Sequence, residues 1–580
     1  MASRPRSFKA QKVIDRLGQK LNRQVVGSLA ACVHCGMCTE SCHYVLANPD
    51  DPTFAPAYKA DRLRKLFKRH YDWTGRVLPW WVNAQSVYTD EELQELKDIV
   101  FGKCTNCRRC SVNCPMGVDF ATFNRMARGL LVHVGIMPEG VAAVSKDQWE
   151  IGNQMGVLKE DYLDTVEWMS DEVVDEMGDD KAAIPMDKKD VNIVYTINPR
   201  EVKYDPRTIA NAAKIFYAAG ESWTMPSEGW DMTNFGLFSG DDDLGGAVAR
   251  RVYDKVHDLN GKILVMSECG HGYRSTRCEG PNWAGYDIDF KMESSVVTML
   301  RYIKEGRIRV DKSKNPGSFT YHDSCNFARS CGMTEEPREL LNLVTNDFRE
   351  MYPNRAENYC CTGGGGAMSM AEYTPQRLKS AKVKADQLRA TGAKYVVTSC
   401  HNCEDGLNDL IKHYKLDMEV TQLVNLVAEA LIVDKKEAVA EVAAKAAPAA
   451  ELAGYTILVV DDEPDMREFL TTVLEDNGAT VLTAADGELG LEMARKHKPD
   501  LMTLDLSMPG TDGSKVYETM RKEHDLKGIK VCIVTGKPEL RKLIYDRDIQ
   551  RPEGYLDKPI AEDSLLLNLR KILEVGSEKS

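Results

Sequence analysis

Between residues 191 and about 430 the chain alternates short apolar runs with longer mixed ones. "VNIVYTIN" and "KILVMSEC" read as strands, and "RTIANAAKIFYAAG" between them repeats its apolar positions at helical spacing. Past residue 316 the order returns, with "GSFTYHDSC" as a strand, "PQRLKSAKVKADQLRATG" as a helix and "KYVVTSC" as a strand. This predicts two α/β units in tandem, residues 191–316 and 317–432. A third α/β pattern occupies residues 455–576: "YTILVVDDEPDMREFL" is a buried strand running into a helix, and "PDLMTLDLSMPGTDG", "KVCIVTG" and "GYLDKPI" continue the pattern. Residues 433–454 before it are alanine-rich with one proline, a semi-rigid and partly helical tether. At the other end, "MASRPRSFKAQKVIDRLGQKL" lacks the apolar core of a signal peptide. Residues 1–28 read instead as an amphipathic helix, either an arm for a partner or a helix packed on its own domain.

At 580 residues the chain has room for three to five domains, taking roughly 150 residues each. Hydrophobic content of 43% and charged content of 28% are those of a soluble globular protein. A net charge of -13 argues against a nucleic-acid binder, which needs a basic face. No run approaches the roughly 18 apolar residues of a transmembrane helix.

Sixteen of the 17 cysteines lie between residues 32 and 403. Without a signal sequence the expected compartment is the reducing cytosol, where such clusters hold metal rather than form disulfides. "CVHCGMCTESC" and "CTNCRRCSVNCP" both have the spacing C-x2-C-x2-C-x3-C. Three closely spaced thiolates wrap one face of a [4Fe-4S] cube, and the fourth cysteine reaches the other cluster. One cube is therefore expected on Cys32, Cys35, Cys38 and Cys114, the other on Cys104, Cys107, Cys110 and Cys42. Structural zinc gives no reason for the doubled spacing. His43 stands where the second motif has Pro115, and reads as a surface residue or as one that alters the turn or the cluster's hydrogen bonding. The insertion between the motifs carries Trp73, Trp80 and Trp81 and is expected to pack around the clusters or meet a partner. Residues 29–135 form this two-cluster domain, and 136–190 a helical connector.

The second α/β unit carries Cys325, Cys360, Cys361, Cys400 and Cys403, in the pattern C-x34-CC-x38-C-x2-C. Adjacent cysteines put two sulfurs at one point of an iron-sulfur core, so that it opens beyond a cube. Gly363, Gly364, Gly365 and Gly366 leave room for backbone N–H groups to approach anionic sulfur. Cys400 and Cys403 fall between a strand and a helix start, where the dipole favours thiolate. A phosphate loop would need Lys-Ser or Lys-Thr after the glycines, where Ala367 and Met368 stand. A dithiol exchange site at "CHNC" leaves the other three cysteines unexplained. His322 and Asp323 are candidates for proton delivery or for hydrogen bonding around the cluster, or are satisfied turn residues. Aligning Ser267 with Ser399 sets Glu268 opposite Cys400 and His271 opposite Cys403, and puts "SWTMPSEGWDMTN" in the place of "NYCCTGGGGAMSM". The first unit then reads as a worn copy, with Cys269 and Cys278 as relics and His271 near the mouth or simply buried.

In the C-terminal region, parallel strands deliver Asp461, Asp462, Asp505, Thr535 and Lys558 to one carboxyl edge, where open α/β sheets bind ligands. Three carboxylates suit Mg2+, and a lysine and a threonine suit a phosphoryl group.

These motifs carry resemblances. The five-cysteine pattern resembles the CCG domain of heterodisulfide reductase catalytic subunits, which implies a noncubane [4Fe-4S] cluster on the five cysteines that reductively cleaves disulfides; His322 joins them as a catalytic candidate from its place just before Cys325. Thr362 departs from that motif's first glycine. The order of two ferredoxin motifs and such a domain is similar to the D-type component of heterodisulfide reductase. The runs "CVHCGMCTESCHY", "SECGHGYR" and "YHDSCNFAR…EEPREL" resemble the K-type component of the sulfite-reductase-associated membrane complex of sulfate reducers. That likeness implies a peripheral place on the cytoplasmic face of the inner membrane. It also implies membrane-bound quinone or cytochrome subunits and other iron-sulfur subunits as partners, with a small two-cysteine sulfur carrier, DsrC, as the disulfide substrate. The C-terminal region resembles a response-regulator receiver. By that likeness Asp505 accepts a phosphoryl group from a histidine kinase, Asp461, Asp462 and Asp505 hold Mg2+ with the last two as direct ligands, Thr535 and Lys558 sense the modification, and Tyr555 is the aromatic switch. The expected fold is thus multidomain α+β and α/β: a helical two-cluster ferredoxin-like domain, a duplicated CCG-type α/β domain and a doubly wound flavodoxin-like receiver. Two other readings stand beside the reductase: an iron-sulfur relay for a flavin-dependent glycerol-3-phosphate, glycolate or lactate oxidoreductase, and a redox-sensing signalling protein.

Overall fold

A computed structural model describes residues 6–433, 452–508, 513–535, 549–550, 552–558, 560 and 562–573, so most of the tether lies outside the described residues. The chain divides into two compact units, the larger holding the cysteine-rich regions and the smaller the receiver sheet.

Helix Phe8–Lys20 starts where the Ser7 hydroxyl accepts the Ala10 N–H at 3.1 Å. Its buried residues, Ala10, Val13, Ile14 and Leu17, form one stripe at helical spacing. The stripe sits in the same core as Leu63, Leu93, Phe123 and Leu131. Fully burying Ile14 and Leu17 contributes about 2 kcal/mol each, so this helix is packed on its own domain rather than held out as an arm. Helix Pro56–Tyr71 of the insertion buries Leu63, Leu66 and Phe67 in that core. The following helix Trp73–Val77 and its turn leave Trp73, Trp80 and Trp81 at least two-thirds exposed.

Two four-stranded parallel sheets follow. The first contains β1 (Ile193–Thr196), β2 (Trp223–Thr224), β3 (Ile263–Met266) and β4 (Lys291–Ser294), in the order β2-β1-β3-β4. The second contains β5 (Ser318–Tyr321), β6 (Asp347–Phe348), β7 (Tyr395–Val397) and β8 (Glu419–Thr421), in the order β6-β5-β7-β8. The topology is the same, as the tandem pattern predicts, and the central β1 is buried along its whole length, as a strand covered on both faces should be.

Strand register corrects the sequence alignment. Ile193 faces both Trp223 and Ile263, while Ser318 faces Asp347 and its neighbour Phe319 faces Tyr395. Trp223 therefore matches Asp347, thirteen residues before Cys360, and not the residues beside the cysteine pair. On the other edge Ile263 matches Lys394, so Cys269 is the counterpart of Cys400. Both residues are helix N-caps, and they face each other in an isolated antiparallel bridge. Gly272 then matches Cys403, and Glu268 matches Ser399. Matching the two serines by letter shifted the alignment by one residue, whereas the helix caps fix it.

In the smaller unit β9 (Thr456–Val460), β10 (Thr480–Ala484), β11 (Leu501–Asp505), β12 (Lys530–Thr535) and β13 (Gly554–Asp557) form a parallel sheet ordered β10-β9-β11-β12-β13. The strand order reverses at β9, and that switch point is where such sheets bind ligands.

Candidate iron-sulfur centres and phosphoryl site

One cavity of the ferredoxin-type domain is lined by Cys32, Cys35, Cys38 and Cys114, and a second by Cys42, Cys104, Cys107 and Cys110. Each gathers three cysteines of one motif and the last of the other. The two turns share a backbone device: His34 and Gly36 in one, Asn106 and Arg108 in the other, have positive φ. Such alternation curls N–H groups toward one point, an anion-binding concavity. In the second turn the Asn106 N–H reaches the Cys104 sulfur at 3.4 Å. Burial and then the neighbouring Cys107, Cys42 and Cys104 push the Cys110 thiol well up. Burial likewise raises Cys42, opposed by Lys59, whose ammonium is held by the carbonyls of Phe54 (3.0 Å) and Lys103 (2.5 Å). None of the cysteines is in a disulfide. Four free thiols lining each cavity fit a cationic multi-iron group that takes them as thiolates.

His43 is 2% exposed and so is not a surface residue. Its ring stacks obliquely on Tyr44 at 4.8 Å and faces Cys107. Contact with Cys360, then burial, pushes the Cys107 thiol up to about 11, with His43 pulling the other way.

Cys325, Cys360, Cys361, Cys400 and Cys403 are all buried in the second α/β unit. The Cys361 and Cys403 sulfurs and a ring nitrogen of His322 lie within 4.8 Å of one another. Cys361 is held toward thiolate by Cys360 and then Cys403, and Cys400 by Cys269 and then Cys403. Cys325 is pushed up by burial and then by Cys360. Cys269, fully buried against Cys400, makes a sixth thiol at this place and is not a stray relic. Six sulfurs sharing one buried locus without a disulfide fit an iron-sulfur group as their common partner.

The glycines do two jobs. The N–H of Gly363 bonds Cys361, and the N–H of Thr362 reaches the Cys360 sulfur at 3.2 Å. A Cβ on Gly363 would fall 2.0 Å from the Asn402 carbonyl oxygen, and one on Gly365, whose φ is +66°, would fall 2.5 Å from that of Thr105. The loop is therefore stripped also so that the Cys400 helix and the second ferredoxin motif can close against it.

His322 is fixed by a chain that sequence reading missed. Lys384, fully buried, donates to the Asn358 side-chain oxygen at 2.5 Å, which turns the Asn358 amide toward His322 Nδ1 at 3.2 Å. With Nδ1 accepting, the neutral imidazole carries its proton on Nε2. Burial and then Lys384 hold His322 well below the usual histidine range, so it is neutral. Burial lowers Lys384 itself to about 7. Asp323 is not free to deliver protons: both its oxygens accept from Arg338 at 2.8 Å. His271 is wholly buried, stacked at 4.0 Å on Phe238 and bonded through Nε2 to the Asn234 backbone at 2.6 Å, the simply buried histidine of the two readings. Burial lowers it to about 4.

The ferredoxin-type domain and the second α/β unit meet at these residues. Arg128, fully buried, donates to the carbonyls of Val100 (2.9 Å), Cys104 (2.6 Å), Phe238 (2.9 Å) and Gly365 (2.6 Å). Arg329 donates to the carbonyls of Cys107 (2.8 Å) and Ala356 (2.6 Å). These arginines tie the cysteine loops by their backbones, which no motif records.

In the smaller unit Asp461, Asp462 and Asp505 bring oxygens within 4.8 Å of one another. Lys558 stands 2.8 Å from both Asp461 and Asp505. Thr535, at the end of β12, is fully buried, and Tyr555 is nearly so. Burial raises Asp461, with Lys558 opposing and Asp505 reinforcing, as expected where a cation is shared between carboxylates.

Three family models match: a 4Fe-4S dicluster domain over residues 28–118, a cysteine-rich domain over 319–408 and a response regulator receiver domain over 457–570. The chain is 26% identical to the Hdr-like menaquinol oxidoreductase iron-sulfur subunit 2 of Archaeoglobus fulgidus, over 71% of this chain and 81% of that protein. It is 27% identical to the D-type component of the dihydromethanophenazine:CoB–CoM heterodisulfide reductase of Methanosarcina mazei, over 70% of this chain and 95% of that one. Its C-terminal region is 36% identical to protein PilH of Pseudomonas aeruginosa, over 20% of this chain and 96% of PilH. The chain thus carries a 4Fe-4S dicluster domain, a cysteine-rich domain and a C-terminal response regulator receiver domain, and over about 70% of its length it is similar to Hdr-like iron-sulfur subunits.

Proposed function

We propose that this chain exchanges electrons between a membrane-associated respiratory partner and a protein disulfide, which it reduces or forms at the five-cysteine centre. The observation that carries the reading is the contact between the two kinds of site: Thr105 of the second ferredoxin motif lies 3.3 Å from the Cys360 sulfur, and Cys107 abuts the same residue. A cube held beside Thr105 would thereby stand next to the paired cysteines without an intervening domain and would supply electrons there. Cys32, Cys35, Cys38 and Cys114, and Cys42, Cys104, Cys107 and Cys110, would hold the two cubes. Cys325, Cys360, Cys361, Cys400 and Cys403 would hold a noncubane [4Fe-4S] cluster, which supplies single electrons to the substrate disulfide.

The remaining chemistry is the chain's own. His322, whose ring lies beside Cys361 and Cys403, carries its proton on Nε2 and would hold it for a departing thiolate, with Asn358 keeping that tautomer. Lys384 places positive charge beside an anionic locus that burial would otherwise penalise. The substrate suited to such a centre is a small dithiol/disulfide carrier of the DsrC kind. No described helix is long and apolar enough to cross a membrane, so attachment to the cytoplasmic face falls to quinone- or cytochrome-bearing partners. The exposed Trp73, Trp80 and Trp81 form a surface suited to them. A histidine kinase would act through Asp505, with Mg2+ on the three aspartates.

Electron paramagnetic resonance of the intact, iron-loaded protein tests the reading. The oxidised state should give a signal that changes on adding a thiol and is lost in Cys360→Ser. A silent spectrum at full iron loading would overturn it.

A further inference from the structure

Two cysteines of the larger unit take no part in the sites above. Cys278 lies in the helical turn Arg274–Glu279 of the first α/β unit, and Cys331 ends helix Ala328–Cys331 of the second. They are 53 residues apart in the chain, yet their sulfurs stand 3.3 Å apart. Cys278 is exposed and Cys331 half-buried, so the pair is open to solvent, unlike the five-cysteine centre. The surroundings hold the pair in place. Arg274 donates to Glu279 at 2.8 Å and to Asn326 at 3.2 Å, across the seam between the units. Tyr273 stacks on Phe327 at 5.1 Å beside it.

The chemistry of the pair is asymmetric. The Cys331 S–H donated to Cys278 is the largest influence on the latter. Against burial and Glu279, and helped by Arg277 and Arg274, it brings Cys278 down to about 7. The same sharing pushes Cys331 far up. At neutral pH Cys278 is the nucleophile and Cys331 the resolving thiol. A disulfide needs the sulfurs to close from 3.3 Å to about 2.05 Å.

We propose that Cys278 and Cys331 form a second, iron-independent thiol–disulfide site, which reduces a small-molecule disulfide and closes as an intrachain disulfide across the seam between the two α/β units. The Cys278 thiolate attacks one sulfur of the substrate, breaking its S–S bond, releasing one thiolate and leaving a mixed disulfide. Cys331 passes its proton to that thiolate and attacks the Cys278 sulfur, expelling the second thiolate, which takes a proton from water. Two electrons pass from the protein dithiol to the substrate, which leaves as two thiols. None of this depends on the function proposed for the five-cysteine centre.

The test uses the full iron-loaded chain, equilibrated anaerobically in reduced and oxidised glutathione, acid-quenched, alkylated and digested with trypsin. Cys278 and Cys331 fall on separate peptides, residues 278–291 and 330–338, each with a single cysteine. The expected product is a disulfide joining these two peptides, formed as the buffer is oxidised and lost on adding dithiothreitol. Alkylation of Cys278 should rise with pH and level off above about pH 7. In Cys331→Ala it should slow on the order of tenfold at pH 7, and glutathione should stay trapped on Cys278. Glutathione on the two peptides separately in the unmutated chain, no modification of either, or an unchanged Cys278 rate in Cys331→Ala would each overturn the proposal.

Discussion

The Thr105 hydroxyl lies 3.3 Å from the Cys360 sulfur and is buried with it. Thr105 follows Cys104, a residue of the second cube's cavity, so one side chain touches both sites. A hydrogen bond to an anionic sulfur favours the reduced, more negative state and raises the reduction potential. Thr105→Val keeps the shape and removes the donor. A bond to a charged group contributes about 1.5–3 kcal/mol, so the one-electron potential of the five-cysteine centre should fall by at most about 65–130 mV, while Thr105→Ser restores most of it. Redox titration followed by paramagnetic resonance reads the shift. An unchanged potential in the valine variant would show that the hydroxyl points its proton elsewhere.

Thr362 departs from the glycine of related motifs, and the structure shows the cost. It is fully buried at φ +69°, a conformation that β-branched residues rarely adopt, and its hydroxyl has no protein hydrogen-bond partner among the described residues. The strain amounts to about 1–3 kcal/mol. Glycine would relieve it, losing about 0.8 kcal/mol for the buried methyl and somewhat less than 1 kcal/mol in chain entropy. Thr362→Gly should therefore be neutral to about 1 kcal/mol more stable, and Thr362→Val, which keeps the strain, should fall below it. Thermal unfolding of the two variants side by side reads the difference. A glycine variant clearly less stable than the native chain would mean that the threonine side chain makes a contact stronger than its strain.

Much of this was legible because spacing is local. The C-x2-C-x2-C-x3-C runs predict which four cysteines line each cavity, and the tandem strand pattern predicts two sheets of one topology. What was missed depends on residues far apart in sequence. Lys384 orients Asn358 and through it His322, and Arg128 gathers four carbonyls from three segments, yet neither lies in a motif. Cys331 lies in no motif, and only the fold lays it against Cys278. The one-residue error that hid Cys269 arose because identical letters were matched. The shared feature is a helix N-cap, a position defined by backbone geometry, which Cys269 and Cys400 fill alike.

In the receiver domain Lys558 is shared between Asp461 and Asp505 at equal distances of 2.8 Å, so the carboxylate proposed to take a phosphoryl group already has a cation beside it. A small phosphoryl donor such as acetyl phosphate, with Mg2+, should label Asp505, and chelating the metal or Asp505→Asn should abolish labelling. Lys558→Met removes the shared cation from two buried carboxylates, so it should bind Mg2+ at least as tightly yet fail to pass phosphorylation on to the rest of the chain. Mass spectrometry of the peptide containing Asp505 reads the first outcome. The second is read from the rate at which the complex reduces its disulfide partner, and from partner binding, with and without the phosphoryl donor. If phosphorylation at Asp505 left both rate and binding unchanged in the native chain, the receiver would not govern electron flow. An effect that persisted in Lys558→Met would show that the signal leaves the site by another residue.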